Sequence, residues 1–317
     1  MSVLTPRRRA RAKGKPARPT AGSATVGNGT AGSATTSNGT AGILQKGILR
    51  SPQARTGLLV VAAVAAFCFL GPLFYHTNQV RVNLNNASLP PGAGDPLGTD
   101  SEGHDILGRL MLGGQSSIEL GLAVAVATTL IGTLYGAVAG MAGGIIDAVM
   151  MRVVDTLLAV PALILLLILV NVFTPNLPMI IVLLTFLSWL GTARLVRGEV
   201  LGLRTRDYVL AARAMGASPR WVLGRHLIRN AIGVIVVSAT FTVSDAILTL
   251  SALSFLGLGL PPPSADWGTM LSSGLDYLFD GFWWTVYPPA IILIVTVLGF
   301  NLIGEGIRDW AGGDFAR

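Results

Sequence analysis

The sequence contains one cysteine, few charged residues and no lysine after position 46. Only 12% of its 317 residues are charged, and 51% are apolar, whereas a soluble domain carries about 25% charged residues. The single Cys68 excludes an internal disulfide and a zinc site built from cysteines. This composition excludes a disordered chain, argues against a soluble enzyme and indicates a polytopic membrane protein.

The motifs of common enzyme classes are also missing. A P-loop ends in Lys followed by Ser or Thr, and none of the three lysines (Lys13, Lys15, Lys46) has such a neighbour. There is no G-x-S-x-G or H-E-x-x-H motif, and the three histidines (His76, His104, His226) lie in different segments. We therefore expect no catalytic residue, no metal site and no cofactor in this chain.

The basic charge of the chain is concentrated at its start. Residues 1–56 contain ten Lys and Arg and no acidic residue, whereas the rest has thirteen basic and sixteen acidic residues. Two copies of a ten-residue repeat, TAGSATVGNG and TAGSATTSNG, occupy residues 20–39. Such side chains bury too little apolar surface to offset the entropy of ordering. The sequence predicts a basic, low-complexity, disordered tail over 1–56 and no nucleic-acid-binding domain.

Six apolar runs follow the tail. A helix needs about 20 residues to cross the hydrocarbon core of a bilayer, which predicts an all-α membrane protein with six transmembrane helices. The six-span membrane domain would cover 57–310, with a loop at 198–230 and a C-terminal tail at 311–317. The predicted spans are 57–75, 115–140, 156–173, 177–193, 231–257 and 285–303.

The distribution of Lys and Arg predicts the orientation of these spans, because cytoplasmic loops carry the excess of both residues. If the N-terminus is inside, the inner segments hold 21 of these residues, and the outer segments hold only Arg81 and Arg109. We therefore expect both termini in the cytoplasm, with membrane lipid around the spans.

The longest inner loop contains the pattern of two short helices. Asp207 suits the positive start of the first helix, and Gly216 can adopt the left-handed conformation that ends it. Ser218 and Pro219 suit the cap and first position of the second helix. An amphipathic helix pair with a small-residue face suits docking in the groove of a partner protein. One face at helical spacing is formed by Tyr208, Ala211, Ala212 and Met215.

This loop resembles the EAA coupling motif of ABC-importer permeases, specifically the C-type permeases of the dipeptide/oligopeptide/nickel branch. Four further segments resemble motifs of the same branch, in the same order, so the resemblance covers about 95–310. These segments are DPLGTDSEGHDILGRL (95–110), GGIIDAVMMRVVDTLLAVPALILL (143–166), LSFLGLGLPPPSADWGTML (253–271) and FNLIGEGIRDW (300–310).

The resemblance implies a type I ABC-importer permease of the bacterial plasma (inner) membrane. It implies a homologous B-type permease as partner, two cytoplasmic ABC ATPase subunits or domains that bind the ATP, and an extracytoplasmic binding protein that delivers di- or oligopeptides. A same-branch importer of nickel, glutathione or another small solute remains open. So does a stand-alone channel or secondary transporter, although ionisable residues typical of such transporters are few in the spans.

The resemblance also assigns candidate residues for coupling to the ATPase. Leu210 stands where the motif often has Glu, so a salt bridge from that position is not expected. The candidate coupling residues are Asp207, Tyr208, Ala211, Ala212, Arg213, Gly216, Ala217, Arg225 and His226.

Asp245 is the main candidate for the translocation pathway, together with Thr249 and Ser254. A carboxylate in mid-span costs several kcal/mol unless it faces a cavity or a partner. Asp245 could be protonated, accept hydrogen bonds from Thr242, Ser244 or Thr249, or line a wet pathway.

Other side chains have predicted structural roles. The glycines of the second span, Gly132, Gly136 and Gly140, predict close helix packing within the chain or against a partner subunit. Arg152 and Asp155 are spaced for an ion pair, and Pro161 predicts a kink. The tryptophans at 267, 283 and 284 are expected in an interfacial aromatic belt.

Overall fold

The computed structural model describes residues 51–76, 81–92, 94–173 and 175–315, with side chains as far as residue 309. The predicted tail lies outside the described residues up to residue 50. The described residues belong to one compact unit, Gly39–Arg317. Within them, an isolated bridge between Thr99 and Asp105 is the one β pairing, and the rest of the regular structure is helical. The α-helices are α1 (Pro52–Phe74), α2 (Ile106–Ala142), α3 (Gly144–Leu158), α4 (Ala162–Val172), α5 (Leu177–Leu203), α6 (Asp207–Ala214), α7 (Pro219–Val222), α8 (Ile228–Phe255), α9 (Trp267–Leu275) and α10 (Tyr287–Phe315).

Five of the described helical segments are long and apolar enough to cross a membrane, and a sixth results if the bent pair α3 and α4 is taken as one span. Each predicted span overlaps one of these segments. The N-caps explain several of the starts: the Ser51 side chain accepts from the N–H of Ala54 before α1, and Asp105 accepts from the N–H groups of Leu107 and Gly108 before α2. Such side chains satisfy N–H groups that have no partner within a helix.

The third predicted span, 156–173, is not one helix. Two helices, α3 and α4, replace it, and their axes differ by 75°. Pro161 lies at the break, as expected of a residue that lacks an N–H and disfavours helical backbone at the preceding residue, Val160. The prediction placed the kink correctly but missed the preceding helix α3, which starts at Gly144.

Two predicted boundaries differ from the helices that form. The fourth span, predicted over 177–193, continues as α5 to Leu203, so the first residues of the predicted loop 198–230 are helical. Likewise α10 continues to Phe315, into the segment 311–317 that was predicted as a tail. Hydropathy detects the apolar part of a helix and not the polar turns that extend it.

The helix α2 lies at the centre of the bundle, where it packs against α1, α5 and α8. Its glycines explain the closest of these contacts. A Cβ on Gly132 would collide with Thr192, and a Cβ on Gly136 would collide with the carbonyl of Ala193, both on α5. A Cβ on Gly140 would lie 2.9 Å from Cγ1 of Val200. The interpretation that these glycines serve packing within the chain is confirmed.

The predicted aromatic belt is wrong for two of its three tryptophans. Trp267 is completely buried and Trp284 is 7% exposed. Their indole N–H groups donate to the carbonyls of Leu110 and Thr99, at 3.0 and 3.2 Å. Trp283 alone is exposed, at 49%. The buried indoles join the segments after α8 to the start of α2, because a buried indole N–H needs an acceptor.

Candidate functional site

The segment 206–227 connects α5 to α8 and consists of two short helices. The first, α6, has Asp207 in its first turn, where a carboxylate suits the positive helix end. It ends at Gly216, whose φ of 86° is left-handed. The N–H of Ala217 donates to the carbonyl of Ala212, and the N–H of Gly216 to that of Arg213, both at 3.0 Å. This is the Schellman motif, in which glycine at this position avoids a steric penalty, and it confirms the predicted helix end.

The second short helix is continuous with the following span. The Ser218 hydroxyl accepts from the N–H of Trp221 at 3.3 Å, and Pro219 occupies the first position, as predicted. The segment Leu223–Leu227 then forms a π-helix that leads without a break into α8. A displacement of this segment would therefore be transmitted directly along α8.

The helix α6 has a buried face and an exposed face. Val209 and Ala212 are buried, at 0% and 5% exposure, while Tyr208 and Met215 are 41% and 83% exposed. Val209 belongs to an apolar cluster with Val200, Val222 and Leu227 and other residues of α2, α5 and α8. Ala211 is exposed and Ala212 is not, so the predicted face is corrected: Ala212 points into the chain and does not belong to a docking surface. Successive residues of an α-helix point about 100° apart, so Ala211 and Ala212 face different directions. The apolar cluster around Val209 determines that Ala212 is the one that faces the interior.

Polar and aromatic contacts hold the remaining candidate coupling residues in place. Asn230 Nδ2 donates to the Tyr208 hydroxyl at 3.0 Å. The His226 ring contacts the ring of Tyr208 at 5.8 Å and that of Trp221 at 5.0 Å between centroids. A guanidinium nitrogen of Arg213 lies 3.0 Å from the Met141 sulfur. These contacts connect α6 to the first turn of α8 and to the end of α2.

Two charged candidates are exposed and available to a partner. Asp207 and Arg225 take part in no salt bridge among the described residues, and both are exposed. Ala217 is half-buried and packs against the apolar cluster that contains Val209. The segment thus combines an interior face fixed by apolar packing with an exterior face that carries charged side chains together with the exposed Tyr208, Met215 and Trp221.

Ion pairs fix the end of α5 against α3. Arg197 forms two hydrogen bonds to the Asp147 carboxylate, one of 2.7 Å, and Arg194 pairs with Asp155. The predicted pair of Arg152 with Asp155 is therefore wrong, since Asp155 pairs across helices. The sequence analysis missed Arg194 and Arg197 because it predicted that the fourth span ends at residue 193. Helical periodicity continued past that point would have placed them on one side of α5.

The candidate pathway residues do not form one site. Asp245 is exposed on the wall of a cavity of about 1160 Å³ between α5, α6 and α8. Ser254 lines a separate cavity of about 550 Å³, and Thr249 lines neither of them. Asp245 and Ser254 are nine residues apart on α8, which is about 13 Å along the helix at 1.5 Å per residue.

The Asp245 carboxylate accepts no hydrogen bond from the hydroxyls expected to satisfy it. Thr242 donates to the carbonyl of Ser238 at 2.9 Å, and Ser244 donates to that of Val297 at 3.3 Å. Thr249 donates to the backbone carbonyl of Asp245 at 2.7 Å and not to its side chain. A hydroxyl has one proton to donate, so these three groups leave the carboxylate facing the cavity.

The Asp245 cavity also contains charged residues of both signs at the end near α6. Besides Asp245, these residues are Glu199, Arg206, Asp207 and Arg308. They lie on α5, on the turn before α6, on the first turn of α6 and on α10. The lining of the cavity is therefore mostly apolar, with polar and charged side chains of both signs distributed within it.

Comparison with known proteins identifies the family to which this bundle belongs. Residues 132–313, which include the segment 206–227 and both ends of α8, match the family described as "Binding-protein-dependent transport system inner membrane component". The chain belongs to this family. It is therefore a polytopic membrane permease with the fold of a type I ABC importer subunit, and it is not an enzyme.

Three relatives cover most of the chain. The oligopeptide transport system permease protein OppC of Bacillus subtilis (strain 168) is 41% identical, over 81% of this chain and 84% of its own length. The dipeptide transport system permease protein DppC of the same organism is 39% identical, over 81% of this chain and 80% of its own length. The probable D,D-dipeptide transport system permease protein DdpC of Escherichia coli (strain K12) is 35% identical, over 82% of this chain and 87% of its own length. The resemblance inferred from the motifs is confirmed.

Proposed function

We propose that the chain is the permease subunit of an ATP-driven importer of di- or oligopeptides, of the C type. The relatives described above are named as permeases of oligopeptide, dipeptide and D,D-dipeptide transport systems, which favours peptides over nickel, glutathione or another small solute. Membership of a binding-protein-dependent family favours an ABC importer over a stand-alone channel or secondary transporter.

The observation that carries this proposal is the construction of the segment 206–227. Its exposed face is available to a partner, while its buried face packs on α2, α5 and α8. The segment continues through the π-helix into α8, so force applied to α6 would move a span. An element fixed on one side and exposed on the other suits the transfer of motion between proteins.

We assign ATP binding to partner subunits and none to this chain. Because no P-loop lysine exists in the sequence, the energy would come from two cytoplasmic ABC ATPase subunits or domains that dock on α6. A homologous B-type permease would complete the membrane unit, and an extracytoplasmic binding protein would deliver the peptide. In this scheme the candidate coupling residues contact the ATPase or hold the contact surface in place.

We further propose that both termini and the segment 206–227 face the cytoplasm of a bacterium. The support is the excess of Lys and Arg in the segments on that side, 21 against 2. The Ser254 cavity would then open toward the extracytoplasmic side. The Asp245 cavity would form the inner part of the solute pathway, with the Asp245 carboxylate in its wall.

The complete assembly provides the test of this function. The chain would be co-expressed with a B-type permease and ABC ATPases of the same kind of transport system, purified, and mixed with binding protein loaded from a panel of peptides, nickel and glutathione. We expect co-purification and a stimulation of ATPase activity by peptide-loaded binding protein only. Stimulation by nickel- or glutathione-loaded protein alone would favour the alternative substrates, and ATP-independent solute flux would contradict the proposal.

A further inference from the structure

The outer side of α6 carries apolar residues, although this helix lies between two spans and not within one. The side opposite its buried face is formed by four residues that we call the apolar face of α6, namely Leu210, Ala211, Ala214 and Met215. All four are exposed, and the two large side chains are 51% exposed at Leu210 and 83% at Met215. Both belong to helical turns closed by backbone hydrogen bonds of 3.1 and 3.0 Å. Large apolar side chains exposed together mark a surface for another molecule.

The Met215 end of this face lies far from the hydrocarbon core of a membrane. The second short helix and α8 form one continuous helix, Pro219–Phe255, of 37 residues. Its apolar part begins near Ala231, because three exposed arginines precede that residue and charged side chains in hydrocarbon are costly. In an upright span, about 18 Å of helix therefore separates the hydrocarbon from the turn at Met215, at 1.5 Å per residue. This distance exceeds the headgroup layer of about 5–8 Å, so the occupant of this end is a protein and not lipid.

The charge beside the apolar face is strongly positive. Residues 206–230 contain five arginines and one carboxylate, Asp207. None of these six groups takes part in a salt bridge among the described residues. Arg206 and Arg213 stand four residues before and three residues after Leu210, and residues at these spacings are neighbours on a helix surface. The leucine is therefore flanked on both sides by guanidinium groups without an ion-pair partner in the part of the chain that the structure describes.

We propose that the apolar face of α6 selects an ATPase whose docking groove has an apolar floor and acidic side chains along its rim. Leu210 and Met215 would enter the floor, and Arg206 and Arg213 would meet the carboxylates. Charges at the edge of an interface mainly determine which partner is accepted, while buried anchors supply the affinity. This selection rests on the proposed function, in which ATPases dock on α6. It adds the chemistry by which the partner is recognised and two anchor residues outside the set of candidate coupling residues.

The sign of the charge in the groove can be measured with two variants at one exposed position, Leu210→Lys and Leu210→Glu. Both lose the leucine, so the difference between them reports charge. The complete chain and a B-type permease would be placed in nanodiscs, and fluorescently labelled ABC ATPases of the same kind of transport system would be titrated at about 50 and 500 mM NaCl. We expect Leu210→Lys to bind about tenfold more tightly than Leu210→Glu at the lower salt concentration. At the higher concentration this ratio should fall toward one, because the Debye length is shorter.

Two results of this titration would overturn the proposal. Equal affinity of the two variants at low salt would show that the groove has no charge opposite Leu210. Tighter binding by Leu210→Glu would show that the rim of the groove is basic.

The apolar floor has a separate test at Met215. Met215→Gln keeps the length of the side chain but makes its end polar. It should weaken binding about tenfold at both salt concentrations, because the hydrophobic effect of burying a methionine is of at least this size. Met215→Leu is the matched control and should bind within about twofold of wild type. Wild-type affinity in Met215→Gln would exclude an apolar floor and contradict the proposal.

Nanodiscs of two compositions separate docking on a protein from contact with anionic lipid. The ratio between Leu210→Lys and Leu210→Glu should be the same in phosphatidylcholine as in its mixture with phosphatidylglycerol. A ratio that appears only with phosphatidylglycerol would assign the arginines to the lipid surface and overturn the proposal. If the wild-type chain binds no ATPase in either lipid, the proposed function fails as well. If the wild type binds and the variants do not differ from it, only the chemistry of the groove is wrong.

Discussion

The backbone conformation of Gly216 determines the relative orientation of α6 and α7, the two short helices of the segment 206–227. Its φ of 86° is left-handed, and a Cβ there would meet no other atom within 4 Å. A substitution therefore acts through backbone strain and not through collision. We expect Gly216→Val to cost about 1–2 kcal/mol locally and to redirect α6, so that ATP hydrolysis no longer drives peptide uptake.

The matched control is Gly216→Asn, because asparagine adopts the left-handed conformation more readily than a β-branched residue. This variant should retain most of the uptake. Both variants should insert in the membrane at wild-type levels, which quantitative immunoblotting of membranes would check. If Gly216→Val binds the ATPase and transports peptide as wild type does, the mechanical role of this segment is wrong.

Asp245 provides a second test at the residue scale. Its carboxylate faces the larger cavity, and the neighbouring hydroxyls donate elsewhere. We expect Asp245→Asn, which keeps the size of the side chain but removes the charge, to reduce uptake of peptides with cationic side chains several-fold more than that of neutral peptides. Competition between the two classes of labelled peptide in proteoliposomes would measure this ratio.

Ser238→Ala is a suitable control, because Ser238 lines the same cavity without a formal charge. It should leave the ratio between cationic and neutral peptides unchanged. An unchanged ratio in correctly folded Asp245→Asn would remove Asp245 from the pathway and leave protonation as the explanation of its position.

At the scale of helices, the sequence predicted the elements better than it predicted their ends and faces. The Schellman end at Gly216 and the cap at Ser218 depend on residues within one turn, so both were predicted correctly. The inward direction of Ala212 depends on a cluster contributed by α2, α5 and α8. The burial of Trp267 depends on a carbonyl 157 positions earlier in the chain. No local sequence pattern could indicate the direction of Ala212 or the burial of Trp267.

The crossing of α2 and α5 gives a prediction about packing. A Cβ on Gly136 would collide with the carbonyl of Ala193, and backbone atoms cannot move away without separating the helices. We expect Gly136→Ala to destabilise the subunit by about 1–3 kcal/mol, the usual cost of overpacking. Thermal unfolding of the purified subunit in detergent would detect this as a lower Tm.

Gly198→Ala is the matched control on α5, since a Cβ there meets no atom within 4 Å. An alanine in an open helical position stabilises a helix by about 0.5–1 kcal/mol relative to glycine, so its Tm should equal or exceed that of wild type. A Gly136→Ala protein as stable as Gly198→Ala would show that the two helices do not need this close approach.

At the scale of the whole molecule, we expect the bundle to support transport without the N-terminal tail. The first 42 residues consist of a basic cluster and a repeat without apolar side chains able to form a core. We expect deletion of residues 1–42 to leave peptide uptake within about twofold of wild type, because Arg50 and Arg55 remain on the proposed cytoplasmic side of the first span. A deleted chain that inserts and binds the ATPase but no longer transports would show that the tail takes part in transport.

The fold class and the family followed from the sequence because apolar runs and short motifs are local properties. The separation of Asp245 and Ser254 into two cavities did not follow from the sequence, since it depends on which helices and loops pack around each part of α8. The ion pair between Arg197 and Asp147 was also beyond the sequence, because it joins residues 50 positions apart. Long-range packing, which no periodicity encodes, accounts for these gaps.

The most direct measurement is ATP-dependent accumulation of a labelled tripeptide in proteoliposomes that contain the complete assembly and binding protein. Ala211→Trp would be compared with wild type, since Ala211 is exposed on α6 and a large side chain there would obstruct docking without disturbing the core. We predict accumulation that requires ATP, the ATPases and loaded binding protein, and its loss in Ala211→Trp. Accumulation without ATP, or full accumulation in a correctly inserted Ala211→Trp protein, would contradict an importer driven through this segment.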